Sequence, residues 1–340
     1  MKLITFEVRT PVGPFKRLGA VIESGENLAY ADLNFAMAAS LADEGSPRPQ
    51  EMAGAIIPSD MTDFAAAGAP SLEAAQEALD FLQDKPEVEG PKGEQLIYRP
   101  DEVRLLAPIE RPPLIRGFTG FERHLKTTFA KMGLTIPDTW YERPLCFKAS
   151  CAHMAAVGET VPWPSYTEQM DFELEFCAVI GKPGRDITEE NAGEHIFGYA
   201  ILNDWSARDA QTGEMAMGTG PYKGKDFAWG LGPWIVTPDE MGDPADLQMA
   251  VRIDGEVWAE STPGPMQWSF PEAVSYTSQD EMLNVGEVLG SGTVNNGCGF
   301  EIDRWIKPGA VVELEADRIG VLRHHVAEPN GEPIRWQRQQ

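Results

Sequence analysis

The sequence is poor in cysteine, in basic residues and in long apolar runs, and each shortage closes off a class of function. Its four cysteines, Cys146, Cys151, Cys177 and Cys298, form no CxxC pair. That spacing offers neither a zinc site nor a disulfide framework, so the thiols are expected to be reduced, small and buried. Lysine and arginine number 28 against 53 aspartate and glutamate, giving a formal net charge of −25. Nucleic acids and anionic membrane surfaces both demand a basic face, so neither is an expected partner. No apolar run reaches the roughly 18 residues of a membrane span. The opening MKLITFEVRT alternates like a strand and lacks the apolar core of a signal peptide, so a cytoplasmic location is expected. Neither GxxxxGK[ST] nor GxGxxG occurs, which removes the common nucleotide loops, and there is no internal repeat.

What is present is a folding sequence of 340 residues, 42% of them hydrophobic, long enough for one large domain and a smaller one. The first 32 residues read as short strands, MKLITFEV and RLGAVIE. Helical patterns follow at LNFAMAASLADE and at Ser71–Lys85, where Ser71 is placed to cap and Leu72, Ala75, Leu79 and Leu82 make an apolar face. A stretch rich in Pro, Gly and charge, Pro86–Pro113, reads as a linker and divides the chain into 1–105 and 106–340. Beyond it a helix is expected from about Phe121 to Met132, with Gly133 suited to its C-terminal turn. His124 in its first turn reads either as an ordinary helical histidine or as part of a mobile lid. LQMAVRIDGEVWAES reads as a hairpin about Asp254-Gly255, and Ser269 with Glu272 as a capping box. After Gln211, the first half of TGEMAMGTGPYKGKDFAWGLGPWIVTP reads as a glycine-dense loop carrying Lys223 and Lys225, and its second half as a strand.

The chemistry concentrates between Asp171 and Asp209. DFELEFCAVIGK alternates polar and apolar residues, the pattern of a half-buried strand, so Asp171, Glu173 and Glu175 should share a face. Like charges in a row repel, and a fold keeps them if the face is solvated or if a cation sits on it. Spacing leaves both open. A second apolar run, FGYAILNDWSARDAQ, ends in Asn203, Asp204, Arg208 and Gln211. Two carboxylates on one strand and a third from another segment form a usual oxygen set for Mg²⁺, Mn²⁺ or Ca²⁺. Lys225 reads as a solvated lysine or a site residue, and Arg208 as the ion-pair partner of Asp204 or Asp209.

EHIFGYAILNDWSARDAQ followed by GPYKGKDFAWGLGPWIVTP resembles the core of the fumarylacetoacetate hydrolase family. DFELEFCAVIG is similar to that family's E-x-E metal strand, and LGSGTVNNG to its Ser-Gly-Thr substrate loop. The resemblance implies an α+β, mainly β fold: a mixed β-sandwich roll preceded by a small N-terminal α+β domain. It implies Glu173, Glu175 and Asp204 as metal ligands, Mg²⁺ or alternatively Mn²⁺ or Ca²⁺ as cofactor, and a homodimer. It further implies His124 as the base that activates water, Lys225 beside the bound diketo acid, and Arg208, Gln211, Lys148 and Thr293 as substrate contacts. Glu301 and Glu122 are the candidates to orient His124. Asp171 matches no family ligand. Gly117 stands where the animal enzyme has a further aspartate, and about Met215 where it has a substrate-contacting tyrosine. The implied activity is metal-dependent hydrolysis of a C–C bond in fumarylacetoacetate or a related acylpyruvate, in aromatic-compound catabolism. A decarboxylase, isomerase or hydratase on the same scaffold, and a non-enzymatic metal-binding protein, are the competing expectations.

Overall fold

The computed structural model describes residues 1–24, 27–150 and 153–329, so Cys151 lies outside the described residues. Its centre is two neighbouring strands, Leu174–Ile180 and Ile196–Asn203, paired antiparallel with Leu174 opposite Asn203. Every residue in both is buried. The alternation in the sequence predicts a strand solvated on one face; instead this strand is covered on both. Leu174, Phe176, Ala178 and Ile180 face one apolar core, while Cys177 and Val179 face another. Fully burying a single aliphatic or aromatic side chain is worth roughly 1.5–3 kcal/mol. A strand buried on both faces therefore anchors whatever polar group is attached to its end.

On one side of the central pair the sheet continues through Trp229–Val236 to Lys2–Thr10, Gly13–Ser24 and Asn27–Asp32. The N-terminal strands thus extend the sheet that carries the site, with Lys2 opposite Val236. On the other side lie Val288–Gly290 and, parallel to it, Ile115–Phe118. A second sheet holds Met249–Ile253, Glu256–Ser261, Val311–Ala316 and Gly320–Val326, and its inward residues, among them Val251, Val312 and Leu314, close the first core. The helices Leu33–Asp43, Met61–Ala67 and Ala69–Asp84 cover the second core, where Phe64 meets Phe197 edge to face at 6.1 Å. The result is a mixed α/β architecture with more strand than helix, as the resemblance implies.

Local readings hold where a specific side chain sets the geometry. The Asp254-Gly255 hairpin forms with both residues at positive φ, 52° and 82°. The capping box of Ser269 and Glu272 is closed in both directions. The helix about His124 spans Glu122–Lys131, with Gly133 at φ 70° just past its end. Ser71, expected as a cap, is instead in the first turn of a helix that starts at Ala69, and its hydroxyl donates to the Ile56 carbonyl. Residues 212–216, expected as loop, complete a helix Arg208–Ala216. Among the described residues no helix is long and apolar enough to cross a membrane.

Candidate metal centre and active-site cavity

A cavity of about 330 Å³ opens at the carboxyl end of Ile196–Asn203, where the chain leaves the sheet. Glu173, Glu175 and Asp204 line it and are 5%, 2% and 1% exposed. Each offers an oxygen within 4.8 Å of the others. Glu175 hangs from the doubly buried strand, and its Oε2 accepts a hydrogen bond from Gly292 N at 3.2 Å. Two glycines make room for this contact. A Cβ on Gly290 would stand 2.6 Å from Glu175 Oε2, and Gly292 has φ 85° with its missing Cβ 2.5 Å from the Phe118 carbonyl. The Ser-Gly-Thr loop therefore approaches the site through its backbone, and Thr293, 4% exposed, lines the cavity.

Two buried cations complete the centre. Lys225 Nζ lies 2.6 Å from Glu173 Oε2 and 2.8 Å from Asp204 Oδ2. The second contact is an ion pair without hydrogen-bond alignment, and neither Asp204 oxygen receives a hydrogen bond. Arg208 puts Nη1 2.6 Å from Glu173 Oε1, while Nε and Nη2 donate to Asp171 Oδ2 at 2.9 and 2.7 Å. Its partners are thus Asp171 and Glu173, not the expected Asp204 or Asp209. Asp209 is taken up by the Thr167 hydroxyl and by Glu168 N. Gln211, one turn on from Arg208, accepts from Arg208 Nη1 at 3.1 Å. Asp171 does not continue the ligand face. Met170–Asp171 pairs with Ser206–Ala207 in a separate ribbon, and the Asp171 carboxylate also accepts from Gly299 N and Phe300 N.

Burial and charge act against each other at this centre. Burial opposes ionisation of Glu173, but Lys225, Arg208 and His124 outweigh it and hold this carboxyl well below the usual range. Burial pushes Asp204 up to about 8, with Lys225 opposing and Glu173 adding to the rise. Burial, then Asp204 and Glu173, push Glu175 up as well. Four buried carboxylates, Asp171 included, face two buried cations, which leaves two negative charges in excess, and burial opposes the ionisation of Glu175 and Asp204. A divalent cation would cancel the same two charges, and Asp204 Oδ1, which accepts no hydrogen bond, is there to offer it. The all-oxygen donor set fits Mg²⁺, Mn²⁺ or Ca²⁺. Gly117 fits a three-ligand site too, because a side chain there would strike the Phe147 ring at 2.5 Å.

His124 lines the same cavity, and its Nδ1 lies 2.9 Å from Glu301 Oε2. Of the two carboxylates expected to orient it, Glu122 lies elsewhere, bound to Tyr141 and Lys126. Lys131, at the far end of the same helix, donates to the carbonyls of Phe300 and Glu301 and to Asp303. Lysine and histidine on one helix thus grip one turn. Lys148 is not brought to the cavity: it sits on a strand facing Arg116 and pairs with exposed Glu281 at 2.9 Å. Asp171, which matches no family ligand, anchors Arg208. Two contributors escaped the sequence reading: Phe147 fills the space beside Gly117, and Glu214 accepts from Tyr222 N and Gly224 N, pinning the loop before Lys225. Extending the helix through 216 would have exposed Glu214 as a neighbour of Gln211 at a spacing of three.

A family model described as the fumarylacetoacetate (FAA) hydrolase C-terminal domain matches residues 115–327. The chain is 30% identical over 234 residues to an oxaloacetate tautomerase of Bacillus subtilis (strain 168), spanning 68% of this chain and 75% of that protein. It is 27% identical over 329 residues to a mitochondrial oxaloacetate tautomerase of Xenopus laevis, spanning 96% and 90%. Maleylpyruvate hydrolase from Sphingobium sp. SYK-6, solved with manganese(II) and pyruvate, shares the fold at a TM-score of 0.64 and 19% identity, over 97% of this chain and all of that one. With more than half its length under that family model, and the acidic strand, the Asn203–Gln211 segment and the Ser-Gly-Thr loop converging on one cavity, the chain belongs to the fumarylacetoacetate hydrolase family.

Proposed function

We propose that this protein is a divalent-metal-dependent hydrolase that cleaves the C–C bond of an acylpyruvate, a 2,4-dioxo acid. The observation that carries this reading is a buried carboxylate triad facing a His124–Glu301 pair across one cavity. Glu173, Glu175 and Asp204 would hold the cation, which supplies Lewis-acid polarisation of carbonyl oxygens and lowers the energy of an enolate. His124 takes a proton from water, and Glu301 holds the proton on Nδ1 so that Nε2 is the accepting nitrogen. The hydroxide adds to the distal carbonyl. The bond from that carbon to the methylene then breaks, releasing a carboxylic acid and the pyruvate enolate, which takes a proton on carbon. Burial works against the charge of Lys225, but Asp204 and Glu173 hold it above the ordinary lysine value, so it stays a fixed ammonium. Aimed at the developing oxyanion with Gln211, it meets the charge without reorganising. Loss of one such donor costs on the order of 3 kcal/mol, or ~100-fold in rate. Thr293 and Arg208 are proposed to flank the substrate carboxylate.

A second reading, tautomerisation of an oxaloacetate-like acid, is favoured by the names of the two sequence relatives. It needs the same enolate stabilisation but no activated water. Acetylpyruvate cleavage and oxaloacetate enol–keto exchange, each followed with and without chelator, separate the two. His124→Ala should remove cleavage while leaving tautomerisation largely intact. Asp204→Asn should lower either activity by at least ~1000-fold and abolish the rise in Tm on adding Mn²⁺. Full turnover in excess chelator would sink both readings. The proposal also includes a division into residues 1–105 and 106–340, and a homodimer acting on small organic acids in the cytoplasm.

A further inference from the structure

We infer that the acyl group this enzyme accepts is uncharged and apolar, an aryl or medium-length alkyl chain, not a second carboxylate. The inference rests on the acylpyruvate reading and deepens it. One end of the cavity is the acidic centre, where the 2-oxo acid head group would bind. Leu125, Phe129, Met132, Trp140 and Met215 make much of the remaining wall apolar, with Gln169 an exposed polar member of it. Trp140 Nε1 donates to the Thr119 carbonyl, so this side chain presents only its ring. Thr128 and Thr212, also on the wall, turn their hydroxyls back onto the carbonyls of their own helices.

A distal carboxylate needs a cation, and among the described lining residues the cationic side chains are already held. Arg208 is shared between Asp171 and Glu173, Lys225 between Glu173 and Asp204, and His124 rests on Glu301. Each already has an acidic partner, although Lys225 also stands 5.8 Å from the centre of the Phe147 ring and His124 shares its helix with Leu125 and Phe129. An ionised group against that wall would lose much of its hydration without gaining a cationic partner. An apolar group there gains roughly fourfold in affinity per buried methylene.

Two measurements on the Mn²⁺-loaded enzyme test this. In the first, kcat/KM is compared for acylpyruvates bearing acetyl, hexanoyl, benzoyl and fumaroyl groups. The hexanoyl and benzoyl compounds should exceed acetylpyruvate by at least ~10-fold and the fumaroyl compound should fall below it. In the second, calorimetry compares two 2-oxo acids that need no turnover, 4-phenyl-2-oxobutanoate and 2-oxoglutarate, and the phenyl compound should bind at least ~30-fold more tightly. Tighter binding of 2-oxoglutarate, or preferred cleavage of the fumaroyl compound, overturns the inference. No cleavage of any acylpyruvate, with the phenyl preference intact, overturns the hydrolase reading and leaves the apolar wall standing. Met215→Arg, at a partly exposed position on the wall, should raise 2-oxoglutarate affinity by roughly 10-fold and reduce the phenyl preference. An unchanged ratio in a folded variant would count against the wall as the source of selectivity.

Discussion

His124 and Glu301 lie 177 positions apart and meet at 2.9 Å. A carboxylate in that place fixes the imidazole tautomer, so Glu301→Gln should reduce kcat on the order of 100-fold or more while changing KM little. Steady-state kinetics on acetylpyruvate would show it. An equal loss confined to KM would make Glu301 a binding residue. The acidic triad makes a second prediction. Asp204 titrates near 3.8 when unfolded and is pushed up to about 8 in the fold, chiefly by burial. A raised folded value means that the metal-free native state binds more protons than the unfolded chain between those limits. Its contribution is complete below about pH 4 and is lost as pH rises through about 8. The metal-free Tm of the wild type should therefore fall from pH 6 to pH 9 more steeply than that of Asp204→Asn, and saturating Mn²⁺ should flatten the wild-type slope. Scanning fluorimetry decides it; parallel slopes would refute the account. At this scale the sequence is informative about the three carboxylates, because the strand alternation and the family pattern single out the residues that line the cavity. Glu301 was legible only as one of two acids, since nothing local to it announces a distant histidine.

Among elements, the strand Leu174–Ile180 was easy to find and hard to place. Alternation signals a strand, but whether the second face is wet depends on helices 100 residues away. The interruption at Phe172–Glu173 was invisible for a similar reason: Asp171 leaves the ladder because Gly299 N, Phe300 N and Arg208 bind it. The helix Arg208–Ala216 was read as loop beyond Gln211 because it carries Gly213, a weak helix former, and because Glu214's bonds to the following loop are tertiary. The helix Glu122–Lys131 was legible, but not its fastening. Lys131 ties it to the turn that bears Glu301. Lys131→Met should therefore reduce kcat by roughly 10-fold with a small change in Tm, because the stem still packs while the three donated bonds go. A drop in Tm of the same proportion as the loss in rate would assign Lys131 a purely structural part.

Across the whole molecule, the first 32 residues supply strands to the sheet that bears the site, and the helices after them close its second core. Composition and the proline-rich stretch suggested a leading unit; strand pairing between Lys2 and Val236 lies beyond what a linear pattern can show. A chain starting at residue 106 should lack that cover, leaving the Trp229–Val236 edge and apolar residues such as Phe197 and Ile235 open to self-association. Size-exclusion chromatography should find it aggregated, whereas a soluble, cooperatively melting fragment would argue for independent folding. The site inherits an asymmetry from this layout. Glu175 is attached to a strand buried along its whole length, and His124 to a short helix in which Leu125 and Thr128 are the buried residues. On warming, the imidazole arm should be shaken loose while the carboxylate-bearing floor is still intact. On the proposed reading, turnover would then stop at temperatures where added Mn²⁺ still binds, and cooling would restore it without refolding.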